Sequence, residues 1–397
     1  MIRVRIAGKL LVTSIVFGAT IGCTNSGDDA AAAVDLSKLD SGNYQSTPWN
    51  TTTAKPDDTG LAIEAIRLGA SFPIPYDIDP SFEFQGQVNP IPRVSPKIPE
   101  TLPFIDEAEF IESTPGLIAG WKSEGHRRKS ATAGRAAYLS AFAFESPADA
   151  ENTKDRFIEK QRVSDRYRAV EVPGFPAAGG NWDGLYLNSW MAHGRFVLGV
   201  RVIDNLNATG EVKPAAEFAA KAFTKMIEMG AQYTPTPAID RAGLPIDIDD
   251  MLSRTLPGDK DSWQSGVPEG AVEPIQAALA RDNSPGTTKP SLVRAGVDLI
   301  SSDSYARVYR ARNSGAAQRL LLELLEPDSV YRKAIVPPRS LPSAKCFEPT
   351  DEKVPAYAKS MVCYVAFDRY LARVEASTVQ NLHQRTAAQY KLLAFER

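Results

Sequence analysis

Histidine and cysteine are both scarce, with three of each among 397 residues. His126, His193 and His383 fall in separate predicted elements, where a turn or a solvent-facing flank suits them better than metal ligation, and no HExxH spacing includes any of them. The chain also lacks a GxSxG elbow, a Walker-type phosphate loop and a GxGxxG following a strand. Cys346 and Cys363 have no histidine nearby, so they fall short of a zinc ligand set. No local pattern therefore supports nucleophilic catalysis, a metal or a nucleotide cofactor, and none is expected. A preponderance of one charge is missing as well: Lys and Arg total 45 against 48 for Asp and Glu, with no long run of either sign. Nucleic-acid binding needs a concentrated basic face, so that partner class is disfavoured. His126-Arg127-Arg128-Lys129, the densest basic cluster, reads as a solvated loop between a helix and a strand. No run reaches the about 20 apolar residues that span a bilayer.

The N-terminus does carry a shorter apolar run. Arg3, Arg5 and Lys9 precede Leu10 to Ile21, roughly a dozen residues, the length of a signal-peptide core. The run ends at Thr20-Ile21-Gly22-Cys23, which resembles the lipobox of bacterial lipoproteins. That resemblance implies a signal peptide over residues 1–22, lipidation of Cys23 and a chain held on the extracytoplasmic face of the cell membrane. Residues 23–40 begin with a Ser, Gly, Asp and Ala-rich stretch without apolar periodicity, so they read as a flexible tether. Setting aside the lipidated residue leaves an even pair, Cys346 and Cys363, in an oxidising compartment, and a disulfide between them is expected.

Proline marks the joints of the body. Pro90, Pro92, Pro96, Pro99 and Pro103 define an extended crossing segment, and Tyr233 to Pro245 separates two periodic regions. The domains are accordingly placed at 41–235 and 246–397. Each side shows the same order of elements. Ala136–Phe144 and Ser304–Arg312 alternate as strands; Ser146-Pro147 and Ser314-Gly315 then open helices. Hairpins follow, turning at His193-Gly194-Arg195-Phe196 and Phe367-Asp368-Arg369-Tyr370, and each leads into a helix, the first of which stops at Gly230. A strand, helix, hairpin and helix occurring twice predict an α+β chain of two similar domains, a diverged internal duplication. Each domain is expected to be an antiparallel sheet with helices packed on one face, a ferredoxin-like repeat.

The segments LDSGNYQSTP, GLAIEAIRL, PYDIDPSF, VPGFP and MLSRTLP, and then AGVDLI, ARVYRA, LPSAKC, CYVAFDRYLARVEA and AAQYKLL, occur in this order along the chain. In this the sequence resembles an actinobacterial envelope lipoprotein family built of tandem domains of unknown function. The resemblance implies a secreted, lipid-anchored, two-domain protein and carries over no catalytic residue. Where the family pattern has Gly-Arg at the C-terminal hairpin turn, this chain has Asp368-Arg369; Asp tolerates the left-handed conformation such turns require.

The remaining candidates are weak. Asp247-Ile248-Asp249-Asp250 could draw calcium, but it lacks the glycine and distal glutamate of an EF-hand and also suits a helix start. Asn50-Thr51-Thr52 and Asn207-Ala208-Thr209 match a glycosylation pattern without a context that would use it. Trp121, Trp182, Trp190 and Trp263 could line a ligand cleft or pack a core. The reading is of a non-catalytic module binding an envelope lipid, glycan or protein partner. Two alternatives stay open: an envelope glycan or lipid hydrolase or transferase with a dispersed site, and a structural subunit of an envelope complex.

Overall fold

A computed structural model describes residues 34–51, 59–85, 92–97, 99–129, 134–161, 167–206, 210–258, 270–328, 331–350 and 359–395. Cys23, the expected signal peptide, Trp263 and the Asn207-Ala208-Thr209 triplet lie outside them. The first half of the chain runs α1 (Thr59–Ala70), β1 (Arg93–Val94), α2 (Glu107–Ser113), β2 (Leu117–His126), β3 (Arg135–Phe144), α3 (Pro147–Gln161), β4 (Arg168–Val172), β5 (Phe175–Trp182), β6 (Tyr186–His193), β7 (Phe196–Asp204) and α4 (Lys213–Gly230). After α5 (Ala238–Arg241) come β8 (Ala271–Pro274), α6 (Ile275–Leu279), α7 (Pro285–Ala295), β9 (Leu299–Asp303), β10 (Ala306–Arg310), α8 (Ser314–Asp328), β11 (Arg332–Ile335), β12 (Lys345–Pro349), β13 (Met361–Phe367), β14 (Tyr370–Ala376) and α9 (Val379–Ala394).

There are two domains, each a large antiparallel sheet with helices. The sheets have seven strands apiece, in the orders β1-β2-β3-β7-β6-β5-β4 and β8-β9-β10-β14-β13-β12-β11. Strand for strand the two orders are the same, which is the topological signature of a duplicated unit. The expected strand, helix, hairpin and helix correspond to β3-α3-β6-β7-α4 and β10-α8-β13-β14-α9. The helix starts follow the predicted capping: Ser146 Oγ accepts the Asp149 N–H at 3.1 Å ahead of Pro147. In the second copy the helix begins at Ser314 as expected, but the capping group is the preceding residue: Asn313 Oδ1 accepts the Ala316 N–H at 2.9 Å. At the hairpin turns Gly194 and Asp368 both adopt positive φ, 57° and 48°.

Helices on one face is an expectation the structure corrects. Along β7, Val197, Leu198, Val200 and Val202 are all buried, and a continuous apolar run of this kind has both faces covered. On one face Phe142, Trp190 and Val197 pack with Phe110 of α2 and Ala150 and Phe157 of α3. On the other, α1 crosses Trp121 so closely that Gly69 lies against the indole ring. Phe72, which follows α1, meets Phe196 edge-on at 5.6 Å on that same face. Each such ring taken fully from water stabilises the fold by about 1.5–3 kcal/mol. The stretch before the basic cluster is likewise strand β2, pairing β3 over Leu117 to His126, where a helix was expected.

Residues 36–397 form one compact unit. Residues 36–51, divided by the sequence reading between tether and first domain, instead pack on the second domain. Leu39 is buried, the Lys391 ammonium of α9 donates to Ser41 Oγ at 3.2 Å, the Arg385 guanidinium stacks on Tyr44 at 5.2 Å, and the Trp49 indole donates to Thr255 O at 3.3 Å. The two halves also meet directly. Gln85 Nε2 donates to Leu279 O at 2.8 Å, Gln276 Nε2 to Asp77 Oδ2 at 2.7 Å, and Lys289 pairs with Asp77. Arg93 of β1 reaches Glu273 of β8 at 3.5 Å, with both side chains almost wholly buried, and Arg281 binds the second carboxylate oxygen.

Candidate functional site

Two cross-strand rows of the first sheet line a cavity of about 270 Å3. Strand pairing places Glu124, Tyr138, Arg201 and Asn188 side by side in one row, and Lys122, Ser140, Gly199 and Trp190 in the next. Both rows lie on the face covered by α3, because Phe142 and Val197 continue the same alternation. The segment Glu100 to Phe104 closes one side, and Ala280 brings the second domain to the rim.

The lining joins apolar walls to polar groups without partners. Trp190 is 5% exposed and is fixed by edge-on contacts with Phe157 at 4.9 Å and Phe104 at 6.2 Å. Its indole Nε1 is buried and donates to nothing among the described residues. A Cβ at position 199 would stand 2.3 Å from the Trp190 ring, so only glycine lets the indole lie across β7. The Arg201 guanidinium is held between the rings of Tyr138 at 5.6 Å and Tyr186 at 5.2 Å. Its Nε is buried and unpartnered, and no carboxylate among the described residues forms an ion pair with it. Of the cavity's acids, Glu100 binds Lys122, while Glu124 stands 3.8 Å from His126, whose Nε2 makes no hydrogen bond among the described residues.

Electrostatics follow from this burial. Desolvation pushes the Glu100 carboxyl above its usual range despite the attraction of Lys122. Burial, reinforced by Glu124 and opposed by Arg201, raises the Tyr138 phenol. Burial lowers the His126 imidazole, favouring its neutral form.

The sequence candidates distribute as follows. Trp190 lines the cavity, whereas Trp121 and Trp182 are buried within the first domain. Asp247 uses both carboxylate oxygens to accept the Leu252 and Ser253 N–H groups, at 2.7 and 2.9 Å, and Asp249 pairs with Arg310 at 2.6 Å. That acidic run thus caps a turn and holds a guanidinium, and no cluster able to hold a metal occurs among the described residues. Within the basic cluster, Arg127 pairs with Asp79 at 2.6 Å and lies over Phe82, and Lys129 stands over Phe84 and Tyr331. His383 lies 2.9 Å from Val336 O. Cys346 and Cys363, paired directly across β12 and β13, are joined by a disulfide. Sequence reasoning missed Gly199, Tyr138 and Arg201. A glycine and a charge interrupting the apolar run of β7 were the available signal, since an interior strand glycine marks a close approach.

No curated protein matches the chain. Among solved structures it is similar to the extracellular domain of PknH from Mycobacterium tuberculosis, at 11% identity and a TM-score of 0.28, over 41% of this chain and 96% of that one. Two family models match, the N-terminal domain of unknown function DUF7373 over residues 51–246 and the C-terminal domain of DUF7373 over 251–396. Together they take in most of the chain, which therefore belongs to the DUF7373 family, with both of its domains in tandem.

Proposed function

We propose that this is a lipid-anchored envelope protein, of the actinobacterial kind its sequence resembles, whose first domain binds a small ligand without transforming it. The observation that carries the binding reading is the cavity between the two cross-strand rows, where Trp190 and Phe104 supply apolar walls and the Arg201 guanidinium has no carboxylate partner among the described residues. Apolar walls with a few polar groups among them are the usual form of a small-ligand site. The non-catalytic reading is supported by the ion pair of Glu100 with Lys122, which engages one acid of the lining. The placement of β7 between β3 and β6 supports a further reading, that each sheet is a ferredoxin-like core extended by additional strands.

Two experiments test this. Extraction of the full chain purified from its native host, followed by mass spectrometry, is expected to return one small molecule in near-stoichiometric amount. Material that returns none, and that binds no member of a fragment collection, overturns the binding reading. For the anchor, Cys23→Ala is expected to leave an uncleaved precursor or to release the protein from membranes; a variant that stays membrane-bound with a normally matured N-terminus removes it.

A further inference from the structure

The two copies differ at the floor of this cavity. The pairs His193–Phe196 and Phe367–Tyr370 close equivalent hairpins, so the registers of the two copies can be matched residue by residue. The pair Ser140–Gly199 then corresponds to Arg307–Arg373. Where the second copy carries two long, charged side chains, the first carries a hydroxymethyl group and a hydrogen. The Trp190 ring takes up the room over Gly199, which leaves the cavity beside it, bordered by Ser140.

Charge in the lining cancels. Its ionic side chains are Glu100, Lys122, Glu124 and Arg201, two of each sign, and Lys122 binds Glu100 within the wall. An ion entering the cavity would give up its hydration without meeting a net counter-charge, and burying an uncompensated charge is costly. The neutral polar groups offer more. The Tyr138 and Ser140 hydroxyls and the Asn188 amide line the cavity and make no hydrogen bond among the described residues. Tyr138 and Ser140 are only half-buried, and the polar atoms of all three keep accessible surface, whereas Trp190 Nε1 and Arg201 Nε are enclosed. Tyr138 and Ser140 stand two positions apart on β3, about 7 Å along the strand, and Asn188 is two positions from Trp190 on β6.

Resting on the reading of this cavity as a ligand site, we propose that it takes an uncharged amphiphile, with a hydroxyl or amide head hydrogen-bonded among Tyr138, Ser140 and Asn188 and an apolar body against Trp190 and Phe104. Hydroxyls and amides both donate and accept, as do the three groups that receive them. Trp190 and Phe104 are braced edge-on against each other at 6.2 Å, so this wall is formed before a ligand arrives. A volume of about 270 Å3 is small for a ligand site and limits the body to a short chain or one ring.

Titration of the full chain with 1-hexanol, 1-chlorohexane, hexanoate and hexylammonium at neutral pH, followed by ligand-observed NMR, tests this with one tail and four heads. 1-Hexanol is expected to bind about tenfold or more tighter than either ion, and several-fold tighter than 1-chlorohexane, which lacks the hydroxyl. Tyr138→Phe combined with Ser140→Ala is expected to remove most of the advantage of 1-hexanol over 1-chlorohexane while leaving 1-chlorohexane binding in place; circular dichroism checks that the variant folds. Binding of either ion as tightly as 1-hexanol overturns the uncharged ligand while sparing the cavity as a binding site. Equal binding of 1-hexanol and 1-chlorohexane by the wild type, or an advantage that survives in full in the folded variant, overturns the hydrogen-bonded head. Binding of none of the four by the folded wild type overturns the cavity reading itself.

Discussion

Glu64 shows how a buried charge is kept in this protein. Its carboxylate, on α1, accepts from Tyr233 Oη at 2.5 Å, from the Thr236 N–H at 2.9 Å and from Thr236 Oγ1 at 2.7 Å, and pairs with Arg67 at 2.7 Å. Burial alone would raise its pKa, but these hydrogen bonds and the Arg67 charge outweigh it and hold the group below the usual glutamate range. A carboxyl whose folded pKa is depressed contributes stability at pH values above its unfolded pKa, and that contribution is lost as pH falls through the folded value. Glu64→Gln is expected to cost about 1–3 kcal/mol at neutral pH, because a charged acceptor of three donors is replaced by a neutral one. The difference from wild type should shrink in acid, below about pH 4. Urea melts of both proteins from pH 7 to pH 3 check this, and a difference independent of pH would refute it.

At the scale of elements, the disulfide marks where the two copies diverged. Counting register from the matched hairpins, Cys346–Cys363 occupies the cross-strand pair that is Gly180–Ser189 in the first domain. Both cysteines are buried, and the bond ties β12 to β13 at the start of the outer part of the sheet. With a sequence separation of 17 residues, the chain-entropy model assigns the cross-link about 3 kcal/mol. Cys346→Ser with Cys363→Ser is therefore expected to lower the thermal midpoint by about 5 °C or more, while leaving the order of strands intact. An unchanged midpoint would show that the bond is dispensable, and thiol counting on unreduced, unfolded protein purified from its native host verifies that it forms. The same comparison clarifies the hairpin turns: Asp368 reaches a φ of 48° and serves where the first copy uses glycine, as the tolerance of aspartate for left-handed backbone allows.

For the whole molecule the decisive feature is the seam between the halves. Glu273 is wholly buried and serves both Arg93 across the seam and Arg281 on its own side; their attraction overcomes desolvation and keeps it ionised. Removing the charge of such a group strands a buried arginine, at a cost of about 3–5 kcal/mol. The chain between the halves is itself packed: Arg241 donates to Thr236 O at 2.9 Å and pairs with Glu145 at 2.8 Å. Residues 36–51 add a strap that begins the compact unit on the second domain. A single cooperative unfolding transition is therefore expected from tryptophan fluorescence and calorimetry alike. Glu273→Gln should lower stability and separate that transition into two, because it weakens the seam more than either core. Two well-resolved transitions in the wild type would mean that the seam contributes little.

Much was legible in the sequence, and for physical reasons that act locally. Period-two alternation, the Ser146-Pro147 helix start, the turn residues Gly194 and Asp368 and the stop at Gly230 depend on neighbours a few positions away, so they announced the duplicated α+β unit. The pairing of Cys346 with Cys363 followed from counting. What the chain alone left open depends on residues far apart. The helices cover both faces because β7 has apolar residues to bury on each, Val197 on one and Leu198, Val200 and Val202 on the other, yet which helix meets which face is set by packing. The short strands β1, β8 and β11 are too brief to show a period and exist through their pairing. The cavity needs Gly199, Trp190 and Arg201 to be aligned by strand register, and the seam needs Arg93 and Glu273, 180 positions apart, to be buried together. Local backbone preference wrote the elements; only the tertiary structure, through register and burial, decided which side chains share a face and which were left without a partner.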